Sequence, residues 1–215
     1  MGKSRRKKRT HVKPDEAAMD AEKIPRSFVI KKGSVGKTVV SLIKDLRTVM
    51  EPLTARNLRE SNKNSLRDFV HVAGPLGISH LLTLGQSPAG INFRIGRMPR
   101  GPTVTFRVLD YTLMHDVRKI QKRPRISAAD YQYSPLVVTH NLVAPKVSSS
   151  SDYETKKLER ALKLTETAFQ NMFPPLKVEK ADLNTCRRLV LLQYNPELGT
   201  FHFRHYSIVV VPANV

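Results

Sequence analysis

Leu81-Leu82-Thr83-Leu84-Gly85-Gln86-Ser87-Pro88-Ala89-Gly90-Ile91-Asn92-Phe93-Arg94 is the stretch that sets the architecture, because the chain carries a second version of it. That version is Leu189-Val190-Leu191-Leu192-Gln193-Tyr194-Asn195-Pro196-Glu197-Leu198-Gly199-Thr200-Phe201-His202-Phe203-Arg204. Each copy opens on a short apolar run, passes a turn rich in proline and glycine, and closes on alternating residues that end Phe-Arg, the pattern of a hairpin. Upstream, Met50-Glu51-Pro52-Leu53 and Asn64-Ser65-Leu66-Arg67 match Met172-Phe173-Pro174-Pro175-Leu176 and Asn184-Thr185-Cys186-Arg187. The offset between the copies drifts from 122 to 108 residues, so the second is shortened by deletions. Self-similarity of this kind indicates an internal duplication. The expected fold class is α/β: two similar halves, about 26–123 and about 135–212, each a small mixed sheet packed with helices, forming one unit.

The remaining elements fit that frame. Phe28 to Ile30 predicts a strand and Gly33 to Gly36 a turn. Val39, Leu42, Ile43, Leu46, Val49 and Met50 then recur at helical spacing until Pro52. Leu66 to Ala73 contains a second apolar face and is ambiguous between helix and strand. Val104, Phe106 and Val108 alternate with Thr105 and Arg107, as a strand beside Ile91, Phe93 and Ile95 would, with arginines on the exposed face. Leu113, Val117 and Ile120 return to helical spacing. Leu136 to Thr139 predicts a strand. Ser151 or Asp152 is expected to cap a long helix through Leu158, Ala161, Leu162, Thr165, Phe169, Met172 and Phe173. Separate strands are expected at Leu189–Gln193, Phe201–Arg204 and Ser207–Val211.

Charge bounds the function. The 215 residues carry 37 Lys+Arg against 18 Asp+Glu, a net +19. No apolar run approaches the ~20 residues that cross a bilayer, and the basic start lacks the apolar segment of a secretory signal. A single cysteine, Cys186, excludes an internal disulfide and fits a reducing compartment; its expected state is a small buried hydrophobe. Lys3, Arg5, Arg6, Lys7, Lys8, Arg9 and Lys13 stand with no acid in the first 13 residues, so residues 1–25 are read as a disordered basic arm and linker. A second concentration, Arg94, Arg97, Arg100, Arg107, Arg118, Lys119, Lys122, Arg123 and Arg125, faces only Asp110 and Asp116. Two clusters in one chain point to a polyanion, and RNA or DNA suits them better than a membrane surface.

Enzymatic constellations are incomplete. Gly33-Ser34-Val35-Gly36-Lys37-Thr38 sits between strand and helix, as a phosphate-binding loop does, but Lys31 stands where the first glycine of that loop belongs. A phosphate-loop nucleotide-binding protein is therefore the alternative reading, and an intrinsic ribosomal protein a third. The seven histidines show no metal-ligand spacing, with His202 and His205 expected on a surface or RNA-facing side. No catalytic residue, metal or cofactor is expected. Phe93, Phe106, Phe201 and Phe203 alternate as core residues do, which argues against base stacking. The candidate RNA-binding set is Lys3, Arg5, Arg6, Lys7, Lys8, Arg9 and His11 in the arm and Lys31, Lys32 and Lys37 at the glycine turn. Arg56, Arg59, Lys63 and Arg67 join them in the first half, and Arg94, Arg97, Arg100 and Arg204 on or beside strands.

Several motifs carry a family resemblance. Met98-Pro99-Arg100-Gly101-Pro102-Thr103-Val104-Thr105-Phe106-Arg107-Val108 resembles the Gly-Pro-Thr signature of Brix-domain proteins, and Phe203-Arg204-His205-Tyr206-Ser207-Ile208 resembles their closing strand. Val49 to Ala55, Lys63 to Phe69, Val72 to Gly77, Phe169 to Pro174 and the opening Lys8-Arg9-Thr10-His11 are similar to the Peter Pan or Ssf branch. The resemblance covers about 26–212 and the arm. It implies a nucleolar, non-enzymatic assembly factor of the large (60S) ribosomal subunit. Such a factor binds precursor rRNA, supports its processing, and works with pre-60S factors including a dedicated protein partner.

Overall fold

The computed structural model describes residues 24–61, 64–123, 127–143, 152–175 and 186–209. Strand β1 (Ser27–Lys32) leads through the glycine turn into helix α1 (Lys37–Val49), and α2 (Leu66–Ala73) follows after a loop. Strands β2 (His80–Ser87), β3 (Gly90–Arg97) and β4 (Thr103–Val108) complete a four-stranded sheet in the order β1-β2-β3-β4. A short helix α3 (Met114–Ile120) and a 3-10 turn (Ala128–Gln132) lead to β5 (Leu136–His140), α4 (Asp152–Gln170), β6 (Arg188–Asn195) and β7 (Thr200–Ser207). The last three strands form the second sheet, in the order β5-β6-β7.

The duplication is visible as register. β1 runs parallel to β2 and β5 parallel to β6, whereas each hairpin is antiparallel. Leu84 lies opposite Phe93 and Thr83 opposite Arg94; in the second sheet Leu192 lies opposite Phe203 and Leu191 opposite Arg204. A one-residue slip would turn every apolar side chain outward, so identical registers place equivalent residues on equivalent faces.

Those inner faces share one core. Val29, Leu82, Leu84 and Ile95 from the first sheet meet Val190 and Leu192 from the second, with Val39, Ile43, Val49 and Met50 of the α1 segment and Phe169, Met172 and Phe173 around the end of α4. Phe106 sits at the seam, its ring edge-on to Phe169 at 5.9 Å and to Phe201 at 5.6 Å. The four alternating phenylalanines are thus core residues. On its outer face the first sheet buries Phe28, Ile30 and Leu81 under Phe69 of α2, which resolves the ambiguous segment as a helix. Its start is set by Asp68, whose carboxylate accepts the Ser65 amide at 2.7 Å.

Some sequence expectations are corrected. Phe201 to Ser207 is one strand rather than two, since Phe201 and Phe203 pack against the core and His205 continues the same face opposite Val190. Ile208 and Val209 are not in a strand, and the rest of the expected third strand lies outside the described residues. Cys186 is half-buried, not a core residue. In α4, Leu162, Thr165 and Phe169 are buried, but Ala161 is exposed. Ser151, as a possible cap, lies outside the described residues.

Two buried arginines tie segments together, Arg47 within the first half and Arg188 between the halves. Arg47, on α1, donates to the Val29 carbonyl at 2.9 and 2.8 Å and to Leu58 O at 2.9 Å, and pairs with Glu60. Arg188, at the start of β6, is fully buried. Its guanidinium donates to the carbonyls of Asp130 (3.1 Å), Thr48 (3.4 Å), Val49 (3.1 Å), Glu51 (2.6 Å) and Tyr133 (2.6 Å). It also lies 4.7 Å from the centre of the Tyr131 ring. Three of those carbonyls come from the end of α1 and the residues after it, where helix carbonyls lack intrahelical partners and the dipole favours a cation.

Candidate nucleic-acid interface

The strands' period of two divides the first sheet into a core face and an outer face. On the β3–β4 side of the outer face stand Arg94, opposite Thr83 and Thr105, and Arg107, opposite Asn92. Both arginines are exposed and are diagonal neighbours on adjacent strands. Arg107 is steadied by donating from Nη2 to the Ala89 carbonyl at 2.7 Å. Sequence reasoning left Arg107 out of the candidate set, although its alternation with Phe106 and Val108 is the signal that selected Arg94.

The other candidates are spread over several elements of both sheets and the loops between them. Lys32 and Lys37 are exposed on either side of the glycine turn, where Gly33 adopts φ 75°, a conformation that favours glycine. The Gly36 amide there donates to Gln86 Oε1 at 2.7 Å, so a donor that a phosphate-binding loop would aim at its ligand is already engaged. Lys31 is half-buried, and its backbone amide donates to Glu60 Oε2 at 2.8 Å. Arg56 pairs with Glu51 at 3.0 Å beside a cleft of about 350 Å³ also lined by Thr54, Tyr131 and Gln132. Arg59 and Arg67 are exposed on the loop before α2 and on α2 itself. Arg97 and Arg100 are exposed at the β3–β4 turn, where a Cβ on Gly101 would lie 2.5 Å from the Cβ of Arg97; the glycine of Gly-Pro-Thr is a packing requirement. Arg204 is exposed on the outer face of the second sheet. The arm residues Lys3 to His11, and Lys63, lie outside the described residues.

Several acids of the chain are engaged by the fold. Glu60 is held by Arg47 and the Lys31 amide, Asp45 accepts the Met114 amide at 2.8 Å, and Asp68 and Asp130 cap turns through the Ser65 and Ser127 amides. These acids serve the fold instead of offsetting surface arginines. Histidine adds no charge at neutral pH where it is buried: burial, then the Arg97 charge, pushes His80 down to about 4. Burial, then Arg188, does the same to His205, also to about 4. His205 stacks obliquely on Tyr131, its Nε2 buried without a hydrogen-bond partner, so the surface role expected of it is corrected. Among the described residues no three His, Cys, Asp or Glu side chains gather to hold a metal, and no helix is long and apolar enough to cross a membrane.

The fold and this face define a class: a duplicated α/β module whose two sheets share one core and whose open sheet face is arginine-bearing. The Brix domain model matches residues 33–214, and the chain belongs to that family, within its Peter Pan/Ssf branch. It is 39% identical to the human Suppressor of SWI4 1 homolog over 98% of this chain and 42% of that protein. Against the Arabidopsis thaliana Peter Pan-like protein the identity is 38%, over 94% and 54%. Against the Saccharomyces cerevisiae Ribosome biogenesis protein SSF2 it is 38%, over 97% and 46%. The chain thus spans about half the length of the curated relatives it matches. The crystal structure of a probable ribosomal biogenesis protein from Aeropyrum pernix K1 superposes with a TM-score of 0.52 at 16% identity, covering 85% of this chain and 89% of that one, which supports the fold alone.

Proposed function

We propose that this chain is a non-enzymatic assembly factor that binds precursor rRNA of the large (60S) ribosomal subunit in the nucleolus, alongside other pre-60S factors and a dedicated protein partner. The observation that carries the RNA part is the open β3–β4 face, where Arg94 and Arg107 stand exposed on adjacent strands. The ribosomal part rests on the relatives, one of which is named a ribosome biogenesis protein. In this reading residues 1–25 are the basic arm and linker, and 26–212 form the domain. The arm, Lys31, Lys32, Lys37, Arg56, Arg59, Lys63, Arg67, Arg94, Arg97, Arg100 and Arg204 neutralise phosphates, giving affinity with little base specificity.

Crosslinking the protein to RNA in cells and mapping the attachment points tests the assignment. Attachment concentrated in large-subunit precursor rRNA is expected, and attachment spread over unrelated RNA refutes it. In vitro, deleting residues 1–13 is expected to lower the slope of log affinity against log salt by up to ~6. An unchanged slope would remove the arm from the interface.

A further inference from the structure

Helix α3 carries an apolar stripe that leaves the core partway along. Leu113 precedes the helix, and Val117 and Ile120 follow it at i+4 and i+7, on one helical face. The start is docked: the Met114 amide donates to Asp45 Oδ2, and Met114 packs against the main core. The stripe then runs into solvent. Leu113 is half-buried, Val117 is 40% exposed and Ile120 82%. Arg118, Lys119, Lys122 and Arg123 follow, all exposed; the one acid of the helix, Asp116, stands a turn before Ile120 and is engaged by the His115 ring at 3.3 Å.

The combination discriminates between ligands. Phosphate contact needs only the four cations and gains nothing from a bare isoleucine. Two aliphatic side chains on a seven-residue helix are too small an anchor for a bilayer surface. An apolar stripe rimmed by positive charge is complementary to an apolar stripe rimmed by carboxylates.

We infer that the Val117–Ile120 face of α3 docks an acidic, amphipathic segment of another protein. Its aliphatic side chains cover Val117 and Ile120, and its carboxylates meet Arg118, Lys119, Lys122 and Arg123. This supplies a chemistry for the protein partner of the reading above and, in that one respect, rests on it; it does not depend on RNA binding.

The test uses the full chain and three fluorescent probes. These are a synthetic helix with leucine at i, i+3, i+4 and i+7 and glutamate on its other faces, the same peptide with serine for each leucine, and an RNA duplex. The leucine peptide is expected to bind about tenfold or more tightly than its serine counterpart, from burial of the aliphatic pair. Val117→Ser and Ile120→Ser should each lose about tenfold in peptide affinity and leave duplex affinity unchanged. Exposure of both side chains keeps these variants folded, which circular dichroism verifies. Equal binding of the two peptides, or unchanged peptide affinity in both variants, overturns the inference in favour of plain charge attraction. Loss of duplex affinity with peptide binding intact overturns it in favour of RNA. An unchanged salt slope on deleting the arm would fail the arm's part in RNA binding without touching the peptide result.

Discussion

Replacing Arg188 is expected to be among the most damaging single changes in the folded region. Its guanidinium satisfies five buried or part-buried carbonyls drawn from the end of α1, the residues after it and the segment around the 3-10 turn. Hydrogen bonds to a charged donor are worth about 1.5–3 kcal/mol each, but their sum overstates the loss. Removing the charge also removes its desolvation penalty, which here pulls the Arg188 pKa down against the raising influence of Tyr131, Glu51 and Asp130. Breaking buried charge networks of this type costs about 3–5 kcal/mol, a large share of the 5–15 kcal/mol typical of a domain. For a domain of this size that lowers Tm by roughly 6–20 °C. Urea titrations of the parent, Arg188→Ala, Arg188→Met and Arg188→Lys check it. Ala and Met should both fall in that range, and Lys should fall too, because one ammonium has three donors for five acceptors. If Arg188→Met keeps its stability within about 1 kcal/mol of the parent at unchanged m-value, the side chain acts by volume alone and the reasoning fails.

Stability should also fall with acid. His80 and His205 hold folded pKa values near 4 against 6.5 unfolded, so the unfolded chain takes up protons first as pH drops. Their contribution is fully present above about pH 6.5 and is lost progressively down to about pH 4, by up to roughly 3 kcal/mol for each group. Calorimetry across that window should show the slope, and its absence in a His80→Gln, His205→Gln double variant that still folds identifies the groups. Gly101→Ala should cost roughly 1–3 kcal/mol by overpacking against Arg97; a variant with the parent's Tm would show that the turn relaxes freely. Reversing charge on the outer face with Arg94→Glu and Arg107→Glu should weaken RNA duplex binding and lower the salt slope by about 2–4, and a filter-binding salt series would show whether it does.

Much of the fold was legible because β-strands alternate with a period that matches residue type. Phe93 and Arg94, Phe203 and Arg204, differ in polarity and therefore in face, and the second hairpin repeats the first closely enough to reveal the duplication. Arg188 was not legible. Its carbonyl partners lie 55 to 140 residues away, and an arginine beside Arg187 looks like any surface cation. His205 misled for the same reason: a polar residue on an inward register is half-covered by its neighbours, its Nε2 out of solvent, whatever its own preference. Ile120 failed in the other direction, since periodicity identifies an apolar stripe but not what covers it. The candidate interface was legible as charge and alternation, yet only the geometry showed which acids were already engaged.

The two hairpins keep one register although the second is two residues longer at its tip, between Asn195 and Thr200, where Leu198 is 70% exposed and a Cβ on Gly199 would meet open space. The extra length is absorbed beyond the last paired residues, so the strand pairing does not sense it. That tip is consequently a place where a fluorophore or a short affinity tag can be inserted, giving a handle on the protein that leaves the core and the arginine face undisturbed.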